Sequence, residues 1–269
     1  MAVSNDITAA LNFVGLLSSI AIIASGVWLA SRQDNECIRL VRWPIILIGL
    51  LIFLVSLAGF VGAFWRIQCL LAVYLVTMII LIVLLLSFVV FAFVVTGPSG
   101  AYPISGRGYD EYRLQGYSAW LRQYVADNRN WNRVRACLGG SSACSGLPQK
   151  YLSFQDFIAA HLTPLQSGCC KPPTICGFGY VNPTVWINPT NPAADPDCYL
   201  WSNDQTQLCY SCNSCKAGLL GNLRTEWRKA EVALTVSLVA LIWVYLIACS
   251  AFRNNQTEEL FDRYKRPFT

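Results

Sequence analysis

Three cysteines stand at Cys209-x-x-Cys212-x-x-Cys215, a spacing at which sulfur can do three kinds of work. A Cys-x-x-Cys pair can cycle between dithiol and disulfide. With Cys198 as a fourth thiolate, the set could ligate zinc or an iron–sulfur cluster. The third option is plain structural bridging. Nine of the twelve cysteines lie between 137 and 215. That density belongs to disulfide-stapled domains in an oxidising space, so bridging is the expected state. Redox work would also need a βαβ-like scaffold or a quinone site, and neither is visible. Lys171 beside Cys169 and Cys170 would lower a thiol pKa only if those thiols were free. The chain has one histidine, His161, and no Walker A, H-E-x-x-H, G-x-S-x-G or G-x-G-x-x-G pattern. No catalytic residue, metal or cofactor is expected.

The elements that would carry these cysteines follow from charge. Only 13% of the 269 residues are charged and 55% are hydrophobic, with a mean hydropathy of +0.43. Residues 7–31, 43–65, 67–106 and 232–252 contain no charge at all. A bilayer core of about 30 Å needs about 20 apolar residues in a helix. Four transmembrane helices are therefore expected: 8–30, 44–65, 70–96 and 232–252. A buried soluble helix of such length would keep a polar stripe. No basic residue precedes the first span, so it reads as a retained helix rather than a leader. The net charge of +5 is scattered and gives no nucleic-acid footprint.

The spans divide the chain into an N-terminus at 1–7, a small loop at 31–43, a turn at 66–69, a large loop at 97–231 and a tail at 253–269. Arg66, Arg253, Arg263, Lys265 and Arg266 lie on one side, against three basic residues in the small loop. That bias and the cysteine density agree on cytosolic termini and two extracellular loops. The sequon Asn255-Gln256-Thr257 then falls in the cytosol.

No span contains Asp, Glu, Lys, Arg or His, which leaves proton relay, ion-coupled transport and voltage sensing without a working group. A channel or transporter remains a rival, as does a membrane thiol oxidoreductase. What the spans do contain is small residues at matching spacing: Asn12, Gly15, Ser19, Ile22 and Gly26, and Gly49, Ile52, Ser56, Gly59 and Ala63. Such a 3-4-3-4 stripe lets two helix backbones approach closely, so spans one and two should pack antiparallel along it. Asn12 should bond across to a neighbouring helix.

In the large loop, 110–137 reads as helix, with Tyr117, Trp120, Leu121 and Tyr124 on one face and Gly139-Gly140 as its stop. Ser153-x-x-Asp156 resembles a capping box opening a helix to about 162. Arg107, between two glycines, reads as a solvated turn charge. Beyond Pro164, repeated Asn-Pro and Pro-Pro steps predict irregular chain held by disulfides. A helix over 224–231 should lead into span four.

Gly168-Cys169-Cys170-Lys171-Pro172-Pro173 resembles the signature of plant tetraspanins, where animal members carry Cys-Cys-Gly. Cys137, Cys144, Cys176, Cys198, then Cys209, Cys212, Cys215-Lys216-Ala217-Gly218 and the tail Ala251-Phe252-Arg253-Asn254 match as well, over the whole chain. The resemblance implies an all-α membrane protein: a four-transmembrane-helix bundle with a disulfide-stapled, partly helical large extracellular loop domain. It implies a non-enzymatic membrane organiser that associates with itself, other tetraspanins, partner membrane proteins and membrane lipid or sterol. Such proteins form plasma-membrane microdomains and are linked to development, senescence, plasmodesmata and extracellular vesicles. Spans three and four lack the Glu or Gln often found in animal members, which puts polar coupling through them in doubt. Trp186, Tyr199 and Trp201, expected exposed at 172–208, are candidate partner-binding residues.

Two expectations concern the remaining cysteines. Cys69 and Cys249 lie at cytosolic span ends, where S-acylation occurs. Nine loop cysteines is an odd number, so Cys37 in the small loop should bridge to one of them. Adjacent Cys169 and Cys170 should take separate partners.

Overall fold

The computed structural model describes residues 3–32 and 36–265. Four of its helices are long and apolar enough to cross a membrane: α1 (Val3–Arg32), α2 (Glu36–Phe64), α3 (Gln68–Thr96) and the 53-residue α10 (Asn213–Lys265). Helices α1, α2 and α10 overrun the charge-free stretches from which they were predicted, whereas α3 lies within its own. A charge gap marks where lipid must be tolerated. Backbone hydrogen bonding continues past that limit, and α10 begins well before 224. The break between α2 and α3 is a tight turn at Trp65–Ile67 in which Arg66 adopts φ 55°.

The chain forms two compact units, one of membrane helices and one built on residues 91–230. In the first unit, α1 and α2 run antiparallel in a fixed register. Gly15 faces Ser56, Gly59 faces Asn12, Gly49 faces Ile22 and Ile23, and Gly26 faces Ile45 and Ile46. A Cβ at Gly15 would stand 2.6 Å from Ser56 Oγ, and one at Gly59 would stand 2.5 Å from Asn12 Oδ1. Hydrogen at these positions is what lets the backbones meet. Ser19 is fully buried on the same stripe, and Ala63 nearly so. Leu71, Tyr74 and Met78 of α3 pack with Ala9, Ala63, Ala248 and Ala251.

The second unit contains the hairpin β1 (Ala101–Pro103) with β2 (Asp110–Tyr112), then α4 (Ala119–Ala126) and α5 (Asn128–Gly139). The single helix expected over 110–137 is thus a strand, a 3-10 turn and two helices. Asp127 causes the last break. Its side chain accepts from Arg129 N at 2.9 Å and Asn130 N at 3.1 Å and starts α5 afresh. Four short helices follow: α6 (Leu147–Lys150), α7 (Phe154–Ala159), α8 (Pro164–Cys169) and, after a second hairpin, α9 (Asp197–Leu200). That hairpin joins β3 (Gly179–Asn182) to β4 (Val185–Ile187).

The segment beyond Pro164 is therefore more regular than its prolines suggested. Pro164 occupies the first turn of α8, where a missing N–H costs nothing, and Thr163 and Gln166 cap that helix reciprocally. Ser153 caps α7, which stops at Ala159. A core of Tyr117, Leu121, Val125, Trp131, Leu138 and the cysteines holds the unit together.

Candidate functional site

The Gly-Cys-Cys-Lys-Pro stretch lies at the C-terminal end of α8, and each of its residues has a separate structural task. A Cβ at Gly168 would lie 2.3 Å from Ser214 O and 3.2 Å from Gly218 Cα, so α8 and the start of α10 touch backbone to backbone. Cys169 then bridges to Cys215 on α10, and Cys170 turns the other way to Cys144. Cys176–Cys198 ties the hairpin half to α9, and Cys209–Cys212 closes a turn ahead of α10. Cys137 is also disulfide-bonded. The side chain of Cys37, expected to supply a tenth sulfur, lies outside the described residues. Bridged sulfurs have no thiolate to offer a metal, and Cys209, Cys212 and Cys215 are fully buried.

Lys171 follows the cysteine pair and is 1% exposed. Its ammonium pairs with Glu111 of β2, donates to Pro172 O at 3.3 Å and sits 5.0 Å over the Tyr109 ring. Glu111 also accepts from Thr174 N at 3.0 Å, Thr174 Oγ1 at 2.6 Å and Tyr102 OH at 3.1 Å. Burial pushes the Glu111 carboxyl up, but Lys171 and the Thr174 bonds outweigh it and hold the group below its ordinary value. Burial also penalises the charged form of Lys171, an effect that Glu111 opposes. In sequence Lys171 stands beside two cysteines, on which it could act only if they were free, and both are bridged. Its actual partner is sixty residues away on a strand, and no local spacing announces that.

Two more polar contacts were not legible in the sequence. Asp197 of α9 accepts from Asn213 N at 2.8 Å and Ser214 N at 2.7 Å, capping α10 from outside its own segment. Arg224 of α10 donates to Thr96 O at 2.9 Å and Gly97 O at 3.0 Å, closing the last carbonyls of α3. Arg107 is half-buried and lies 5.3 Å over the Phe154 ring, so it is not the solvated turn charge its flanking glycines suggested.

The three candidate partner-binding aromatics separate. Trp186 is a correction: it is 7% exposed and packs inward on Phe157 and Tyr180, with its Nε1 donating to Pro183 O at 3.0 Å. Strand alternation explains this, since Tyr180 and Trp186 are registered partners on the inner face of the hairpin. Trp201 is half-buried and donates to Asn203 Oδ1. Tyr199 alone is well exposed, at 71%; Leu200 is exposed next to it in sequence, and Val181 and Ile187 are exposed on the β3–β4 hairpin.

Among the membrane helices, Asn12 is buried and donates to Thr8 O at 2.9 Å and to Tyr74 OH on α3 at 3.3 Å. It borders a cavity of about 640 Å³ lined also by Ser56, Tyr74, Met78, Ser237 and Leu241. At one end of the bundle Asn5 donates to Asn255 Oδ1 at 2.6 Å and Gln68 donates to Asn255 O at 3.0 Å. Polar coupling between α1, α3 and α10 thus exists, carried inside the spans by Asn12 and Tyr74 and at the bundle end by Asn5, Gln68 and Asn255. It also buries the asparagine of the Asn255 sequon.

The family model of the tetraspanin family matches residues 4–253. The chain is 61% identical to Tetraspanin-2 of Arabidopsis thaliana over 267 residues, 99% of each chain. It is 51% identical to Protein TORNADO 2 of the same plant over the full length of both, and 45% identical to Tetraspanin-8 over 97% of this chain and 96% of the relative. No solved structure matches. Matched along its whole length at this identity, and built of four apolar helices with a disulfide-stapled loop, the chain belongs to the tetraspanin family.

Proposed function

We propose that this protein is a non-enzymatic organiser of the plasma membrane, with cytosolic termini and extracellular loops, which gathers itself, other tetraspanins and partner membrane proteins into microdomains. Development, senescence, cell–cell contact at plasmodesmata and vesicle formation are the settings in which such gathering would act. The observation that carries the reading is a rigid frame bearing exposed apolar side chains. Four bridges and the Glu111–Lys171 pair hold the loop, while Tyr199, Leu200, Ile187 and Val181 stay exposed. Aromatic and aliphatic anchors on a preorganised surface are what lateral recognition requires. The cavity beside Asn12 and Ser56 has apolar walls and a few hydroxyls, which suits a bilayer amphiphile with one polar end, such as a sterol.

Proximity labelling in the native membrane tests the reading. Wild type should mark a reproducible set of membrane proteins, and Tyr199→Ser with Leu200→Ser should lose part of that set while self-association persists. An identical neighbour set for both proteins would count against this surface, and a set no richer than a random membrane protein's would count against the organiser role.

A further inference from the structure

Helix α3 is 29 residues long, about 43 Å at 1.5 Å per residue. That matches the roughly 40–45 Å of a bilayer with its headgroups, of which about 30 Å is hydrocarbon. Centred on such a bilayer, α3 leaves about 6 Å of its length in each headgroup layer. Phe91 is five residues from the helix end at Thr96, about 7.5 Å inside it, and so stands near the boundary between hydrocarbon and headgroups. Phe91, Phe93 and Val94 are all exposed there.

Residues 91–96 belong to the same compact unit as the large loop. Within that unit the Trp120 ring meets Phe91 edge-on, with centroids 5.4 Å apart and planes at 86°. Tyr124 stacks on Trp120 at 5.8 Å and 16°. The adjoining side of α4 is committed to the core, with Leu121 and Val125 buried in one cluster with Val95 of α3. Trp120 and Tyr124 are left 53% and 50% exposed on one side of the helix. The aromatic pair is therefore joined by direct ring contact to Phe91 of α3.

We propose that α4 is an interfacial anchor whose Trp120 and Tyr124 rings lie in the headgroup layer of the leaflet at the outer end of α3. Trp and Tyr concentrate at that depth because an amphipathic ring can bury its body and keep its N–H or O–H wet. The occupant is lipid, because the aromatic surface is continuous with the exposed side of the membrane-spanning α3 through Phe91. The large loop would then be held to the bilayer surface at a second place beyond its two chain ends.

The test uses the full chain, with its disulfides intact, in phosphatidylcholine nanodiscs brominated near the acyl 6,7 positions or left unbrominated. Emission of Trp120→Phe is subtracted from wild type to isolate Trp120, and non-reduced peptide mapping checks that both share one set of bridges. Bromine should at least halve the Trp120 emission, while aqueous iodide should leave most of it. In parallel, wild type in discs carrying a headgroup-benzophenone lipid should crosslink within 119–126, which needs no variant. Emission quenched by iodide and untouched by bromine would place Trp120 in water and overturn the anchor. Emission protected from both, with no crosslink, would mean that protein covers the pair, and would overturn it equally.

Discussion

Glu111 and Lys171 show how much of the loop rests on one charge pair. Both are buried, so removing one partner leaves an uncompensated charge in a poorly solvated place. Glu111→Gln should lower the stability of the loop unit by about 3–5 kcal/mol in denaturant titration, whereas a surface charge such as Glu226 should cost little. The pH dependence has a definite sign. The folded-state pKa of Glu111 is held below its ordinary value, so its contribution is complete above about pH 4.3 and is lost as pH falls through the folded value. Acid unfolding followed in wild type and Glu111→Gln should show the variant with the shallower acid limb. A second residue-scale prediction concerns Cys69 and Cys249, both outside any described disulfide. We propose that they are S-acylated. Hydroxylamine-dependent acyl exchange should give a signal that disappears in the Cys69→Ser, Cys249→Ser double variant, and no signal in wild type would end the idea.

At the scale of elements, the close approach of α8 to α10 depends on Gly168. An alanine there would drive its Cβ into Ser214 O, a backbone atom that cannot swing aside. Gly168→Ala should cost at least the 1–3 kcal/mol of an overpacked core and should disturb the Cys169–Cys215 bridge. Gly146 makes the matching control, because its nearest neighbour would be 3.9 Å from a new Cβ. Gly146→Ala should stay within about 0.5 kcal/mol of wild type in the same assay. The disulfides divide by the length they close. In the chain-entropy model, Cys169–Cys215, 46 residues apart, contributes about 4 kcal/mol, while Cys209–Cys212, three apart, gives about half of that. The Cys-x-x-Cys pair that most resembled a redox motif thus closes the shortest loop of the four, and it is buried.

For the whole molecule, cysteine parity makes a prediction about how the loops are joined. Eight of the nine large-loop cysteines pair among themselves, and Cys137 is disulfide-bonded as well. We propose Cys37 as its partner, which would fasten the small loop to the large one. Non-reduced peptide mapping should recover a 37–137 crosslinked peptide, and Cys37→Ser should expose one alkylatable thiol at Cys137. Cys37 reacting as a free thiol in folded wild type, or a covalent dimer lost in Cys37→Ser, would rule the tether out.

Composition alone determined the membrane architecture, because a helix in lipid must exclude charge for about 20 residues and that absence is countable. Spacing alone also marked the seam of α1 and α2, since small residues must recur wherever two helix backbones approach. The irregular half of the loop was a different case. Whether Trp186 faces in or out depends on strand register, and register depends on a hairpin whose strands of four and three residues are too short to leave a periodic signal. The partner of Lys171, the cap that Asp197 lends to α10 and the closure of α3 by Arg224 all join residues far apart in sequence. Each is a contact between one polar group and one backbone or carboxylate oxygen, and only the folded chain decides which distant groups come within 3 Å.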